Sequence, residues 1–193
     1  MVIVMSKIDI SQIKSADDLI TLLQKEYSFH FTIPVDVEKI AKLLNIDIEE
    51  YVGFDEIDVV GKIELQKNGK AKIKINLLQN DYEPRRRFTI AHEIGHYCKH
   101  LSNNKRQFID TQRSMSRSSS YWDLIESEAN SFAAQLLMPK DLIISEGQKI
   151  IDEYKKLHLA DGIPIQEFIE RMARKFNVSF PAMEYRLKNM GII

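Results

Sequence analysis

The spacing of apolar residues along the 193-residue chain begins helical, turns to strict alternation near residue 46, and becomes helical again after residue 84. The stretch "SADDLITLLQKEY" (15–27) repeats apolar residues every three to four positions behind Ser15, a capping residue type. "PVDVEKIAKLLN" (34–45) does the same, with Pro34 placed for a first turn. Two helices are predicted there. "IDIEEYV", "VVGKIELQ" and "AKIKIN" then alternate with period two, so that Ala71, Ile73 and Ile75 share one face while lysines take the other. Asn68-Gly69 between the last two is a hairpin sequence, and a short antiparallel sheet is expected.

Pro84 permits a helix start, and Ile90, Ile94, Tyr97 and Leu101 recur on one stripe of the helix that follows. Residues 102–120, "SNNKRQFIDTQRSMSRSSS", lose all periodicity and read as a mobile loop, either a solvated connector or a segment that grips a substrate. Helical spacing resumes at "YWDLIESEANSFAAQLLM" and stops at Pro139. Three more helices are predicted over 140–157, 164–176 and 180–190, with "ADGIP" as the breaker between the first two. The expected class is α+β, with residues 1–157 as the main domain and 160–193 as a helical appendage resembling a helix-turn-helix. Ser179 is placed to cap the last helix and Pro181 lies in its first turn. DNA readout would need polar and basic residues at the start of that helix. The chain has Phe180, Ala182 and Met183 there, which favours packing or partner binding over DNA binding.

Composition narrows the partners little. Formal net charge is -1, so no global field recruits nucleic acid or a membrane surface. The single cysteine, Cys98, excludes an intramolecular disulfide and suits a reducing compartment. "MVIVM" is too short for a signal-peptide apolar region and no apolar run matches a bilayer, so a cytoplasmic location is expected.

The chemistry is concentrated in "RRRFTIAHEIGHYCKH" (85–100). Histidines four apart on a helix share a face, which lets His92 and His96 reach one metal ion through bonds of about 2.0–2.1 Å. Glu93 is turned by about 100° and suits a general base acting on a water that the metal activates. Both histidines fall nearly opposite the apolar stripe, which predicts a face on a cleft. His100 lies about 12 Å along the axis from His92 and cannot share its ion, so a surface or supporting role is expected. Cys98 is read as packing.

A catalytic zinc keeps three protein ligands and one open position. Two carboxylates in "IESEAN" could supply the third. Glu126 falls within the apolar arc of Trp122, Ile125, Ala129, Ala133, Leu136 and Leu137, whereas Glu128 lies on the polar side. A carboxylate on an apolar face needs a cation to offset its burial, which selects Glu126 over Glu128. Asn130, one turn on, could orient a ligand histidine, and Ala129 and Ala133 would let the two helices approach. Arg85, Arg86 and Arg87 at a helix N-terminus require partners, and Arg85 could grip a substrate or serve structure. Tyr82, Tyr97, Tyr121, His100 and the arginines are all candidate oxyanion donors.

"FTIAHEIGH" followed by "ESEANSFAAQLLMP" resembles the ImmA/IrrE metallopeptidases, with their R-F-T-x-x-H-E-x-x-H helix and E-x-x-A-N-x-F-A-A-x-L-L-M-P helix. The likeness extends to "PVDVEKIAKLLNIDI" and "VSFPAMEYRLKNMGII". It implies a zincin-like, gluzincin-type zinc endopeptidase with His92, His96 and Glu126 as Zn2+ ligands and Glu93 as base. It also implies a protein substrate, typically a helix-turn-helix repressor or antitoxin encoded nearby, and a part in mobile-element or stress regulation. The long segment 102–120 departs from the family pattern. The rival reading is a non-catalytic regulatory module that binds a partner protein or DNA through its C-terminal helices. A structural zinc would usually have four protein ligands, and three are evident in the sequence, which favours the enzyme.

Overall fold

The computed structural model describes residues 8–101, 105–111, 121–159 and 161–193, with backbone only at 121–123. "MVIVM", parts of the 102–120 segment and the side chains of Tyr121 and Trp122 lie outside the described residues. The elements run α1 (Ala16–Tyr27), α2 (Val37–Leu43), β1 (Ile46–Tyr51), β2 (Val59–Leu65), β3 (Ala71–Asn76), α3 (Glu83–Lys99), β4 (Gln107–Thr111), α4 (Tyr121–Leu137), α5 (Lys140–His158), α6 (Ile165–Phe176) and α7 (Phe180–Asn189). The described residues form an α+β protein with seven α-helices and one small sheet. No helix among the described residues is long and apolar enough to cross a membrane.

Local chemistry fixes the helix ends. Ser15 accepts from the Asp18 amide while the Asp18 carboxylate accepts from the Ser15 amide, a reciprocal cap that starts α1. Asp36, rather than Pro34, sets the start of α2, accepting from Lys39 N at 2.9 Å. Ser179 caps α7 through Ala182 N, and Asn177 ends α6 in the left-handed conformation.

The sheet departs from the expected antiparallel arrangement. Its order is β1-β3-β2-β4, and β1 pairs with β3 in parallel, so the sheet is mixed. The chain reverses after β1 but leaves a gap one strand wide, which β3 fills. Alternation reports which face of a strand is buried and not which strand lies beside it. The Asn68-Gly69 hairpin forms as expected, with Gly69 at φ +78°. A fourth strand, β4, lies inside the segment read from sequence as a loop, and pairs antiparallel with the outer edge of β2.

Helix α3 is the centre of the molecule. It lies across β2 and β3 on one side and against α4 on the other, and Thr89 through Cys98 are all buried. Gly95 makes the α3–α4 approach possible: a Cβ there would sit 3.3 Å from both the Cα and the carbonyl oxygen of Ala129. The C-terminal helices share the core of the rest, with Phe176, Met183 and Leu187 fully buried. Arg186 donates to the Met138 carbonyl at the end of α4, tying α7 to it.

Candidate metal centre

Four side chains from three elements converge on one buried point: His92 and His96 from α3, Asp110 from β4 and Glu126 from α4. The two Nε2 atoms are 3.0 Å apart. His92 Nε2 lies 2.9 Å from Asp110 Oδ2 and 3.3 Å from Glu126 Oε2. His96 Nε2 lies 3.5 Å from Asp110 Oδ2 and from Glu126 Oε1. Four ligands bonded at about 2.0–2.1 Å around a tetrahedral ion would be about 3.3–3.4 Å from one another, so these spacings fit one small divalent cation. The oxygens point the same way: both of Asp110 and Oε2 of Glu126 are buried without an aligned hydrogen-bond donor among the described residues. Lone pairs aimed at a common centre are the signature of ligands rather than of donor–acceptor pairs.

The outer nitrogens are held so that the inner ones face the centre. His92 Nδ1 is 3.0 Å from Asn130 Oδ1, an acceptor, so it carries the proton and leaves Nε2 as a lone pair. His96 Nδ1 is 3.0 Å from His100 Nδ1, and His100 Nε2 is 3.0 Å from Glu128 Oε2. One proton arrangement satisfies this row: His96 donates to His100, which donates to Glu128. Burial lowers the His100 pKa, which favours the neutral ring that the row requires.

Burial, followed by the Asp110 and Glu126 carboxylates, holds the Glu93 pKa well above the ordinary range. Burial also opposes ionisation of Asp110 and Glu126, yet their contacts with His92 and His96 outweigh it and hold both low. The same carboxylates raise the His92 pKa against the cost of its own burial, a field that favours positive charge at the centre, which a bound cation would supply in place of the Nε2 proton. Glu93 is fully enclosed, and the space for its carboxylate comes from Gly61 on β2, where a Cβ would fall 2.6 Å from Glu93 Oε1. A buried amide network fixes that approach. Thr89 Oγ1 donates to Asn80 Oδ1 at 2.6 Å, and Asn80 Nδ2 donates to the carbonyl of Val60, next to Gly61.

The sequence-derived residues sort clearly. Glu126 is brought to the histidines, whereas Glu128 lies outside with Lys99 and His100. His92 and His96 face no open cleft, because both are fully buried and Phe108 of β4 stacks on His96 at 4.5 Å between ring centroids. Cys98 is in the core, where burial pushes its thiol up. Arg86 pairs with Glu38 and Glu50, and Arg87 reaches the carbonyls of Val35 and Asn177, so both serve the scaffold. Tyr97 packs in the core cluster and Tyr82 stands at the N-cap of α3. Asp110 was not found by sequence reasoning. Its signal was faint but present: in "QFIDT", Phe108 and Asp110 alternate with Gln107 and Ile109, the period of a half-buried strand.

The fold and this centre define a class: an α+β protein whose helix-borne histidine pair joins buried carboxylates from neighbouring elements in a site fit for a divalent metal. The chain belongs to the Peptidase_M78 family, whose IrrE N-terminal-like domain model matches residues 65–188. That span contains all four converging residues and Glu93, and agrees with the ImmA/IrrE metallopeptidase resemblance. A search of curated proteins found no match.

Proposed function

We propose that the protein is a zinc-dependent endopeptidase of the zincin type, in which His92, His96 and Glu126 hold the ion and Glu93 is the general base. The observation that carries this reading is the convergence of the two Nε2 atoms with Glu126 beside a fully buried Glu93 that makes no hydrogen bond among the described residues. Zinc held there supplies a Lewis acid that polarises a carbonyl and lowers the pKa of water toward about 7. Glu93 takes the proton of the attacking water and delivers it to the leaving amine nitrogen. Burial raises the Glu93 carboxyl pKa, so the group holds a proton more readily than a solvated carboxylate, which suits its delivery to the leaving nitrogen. Asn130 and the His100–Glu128 pair hold the ligand imidazoles in orientation.

The substrate we propose is a protein, a helix-turn-helix repressor or antitoxin encoded beside this chain, cleaved inside the cell. The family resemblance supports that choice. The test compares wild type with Glu93→Gln, incubated with the product of the neighbouring gene and read by mass spectrometry. Losing the base should slow cleavage by about 100-fold to 10,000-fold while metal content stays the same. Undiminished cleavage by Glu93→Gln would remove Glu93 from the mechanism. Wild-type capture of the partner with no cleavage would favour a binding module.

A further inference from the structure

We propose that Asp110 is a fourth, displaceable ligand of the metal centre, and that β4 is an internal blocking strand seated where an extended substrate would pair with β2. The inference rests on the metallopeptidase reading and adds its regulation. A hydrolytic site needs an open ligand position, and four protein donors leave none. Asp110 Oδ2 is as close to His92 Nε2 as any other donor, at 2.9 Å. The Asp110 carboxylate is 1% exposed and has no aligned donor for either oxygen, a costly placement unless a cation offsets it.

Its position in the sheet explains why this residue, among those of β4, meets the centre. Asp110 pairs with Gly61, the residue whose missing side chain admits Glu93, and the ladder is irregular between Val59 and Gly61. The extra residue lies on β2, and Asp110 faces inward by the same alternation that turns Phe108 inward. Asp110 is therefore brought to the donor set and to Glu93 together, the two partners that an attacking water must also have. Two residues earlier, Phe108 covers His96, while Ile109 between them is 50% exposed. A five-residue extended segment, antiparallel to β2, thus fills the edge next to the catalytic helix with one apolar and one acidic side chain turned inward. This is how a peptide bound by strand addition would lie. With β4 in place the site is closed; an extended peptide that replaces β4 on β2 opens it by removing Asp110.

The full-length protein loaded with Co2+ tests this without a substrate. Cobalt content is measured, and acetohydroxamate, a bidentate metal-binding probe, is titrated while the visible spectrum is followed. Wild type should bind one cobalt and respond to the probe only at high concentration. Asp110→Ala should retain cobalt and respond at concentrations at least about tenfold lower, the shift expected if the open state is at most about a tenth of the wild-type population. Phe108→Ala, which loosens β4 and leaves every donor in place, should shift in the same direction. Equal response of wild type and Asp110→Ala would overturn the proposal, as would loss of cobalt by Asp110→Ala with retention by Glu126→Gln. A wild type that binds no cobalt would sink the metallopeptidase reading as well, so the two failures are distinguishable.

Discussion

Gly61→Ala is a single-methyl change that should separate metal binding from catalysis. The new Cβ would sit 2.6 Å from Glu93 Oε1 and 2.7 Å from Thr89 Cγ2. Ordinary contacts begin near about 3.3 Å for carbon to oxygen and about 3.5 Å for carbon to carbon, so each neighbour must retreat by roughly 0.7–0.8 Å. Thr89 resists, because it is stiff at χ1 and its hydroxyl is held by Asn80 Oδ1 and the Arg85 carbonyl. Glu93 therefore takes most of the displacement. Overpacking of this kind costs about 1–3 kcal/mol, or roughly 2–12 °C in melting temperature for a chain of this size. A catalytic group misplaced by about 1 Å loses about 100-fold in rate. The three atoms nearest the new methyl group belong to Glu93 and Thr89 and to none of the four converging residues, so zinc content should stay at the wild-type level. Thermal melts, elemental analysis and cleavage of the proposed protein substrate give the three readouts. Wild-type melting together with wild-type cleavage would refute the packing argument. Metal loss as severe as that of His96→Ala would show that Gly61 serves the ligands and not the base.

Two further outcomes follow from the same geometry. Glu126→Gln should weaken zinc binding by more than the roughly 10–100-fold that follows loss of an orienting partner, and Glu128→Gln, whose carboxylate pairs with Lys99 and His100, by less; chelator competition checks the order, and a reversed order would refute the assignment. Arg87→Met removes charge-assisted bonds to the Val35 and Asn177 carbonyls that join α3 to the segment before α2 and to the end of α6. It should cost about 1.5–3 kcal/mol in urea unfolding with metal content unchanged, and an unmoved midpoint would show those bonds to be dispensable.

Much of the molecule was legible because its signals are local. Helical spacing located α1, α3 and the helices after Pro139, and the i, i+4 spacing placed the candidate ligands His92 and His96, with Glu93 between them, on one helix. The burial of Glu126, with Glu128 left on the polar side, was also legible by local means, since a carboxylate on an apolar arc needs a reason to be there. Sheet order was not legible, because a strand's alternation is the same whether its neighbour is parallel or antiparallel.

Asp110 marks the limit most clearly. Five residues with two inward positions are too short to stand out from a serine- and arginine-rich segment, and nothing near them in sequence identifies them as part of a metal centre. Their place is set by pairing with β2, some 43 to 52 residues earlier in the ladder register, which sets Asp110 opposite Gly61. The same holds for Gly61 itself, whose function is the absence of a side chain beside Glu93. The sequence by itself determined which groups could do chemistry, because residue type and helical period are properties of a few consecutive positions. Only the tertiary structure decided that a strand distant in sequence closes over those groups, because contacts between remote segments depend on packing that no local period encodes.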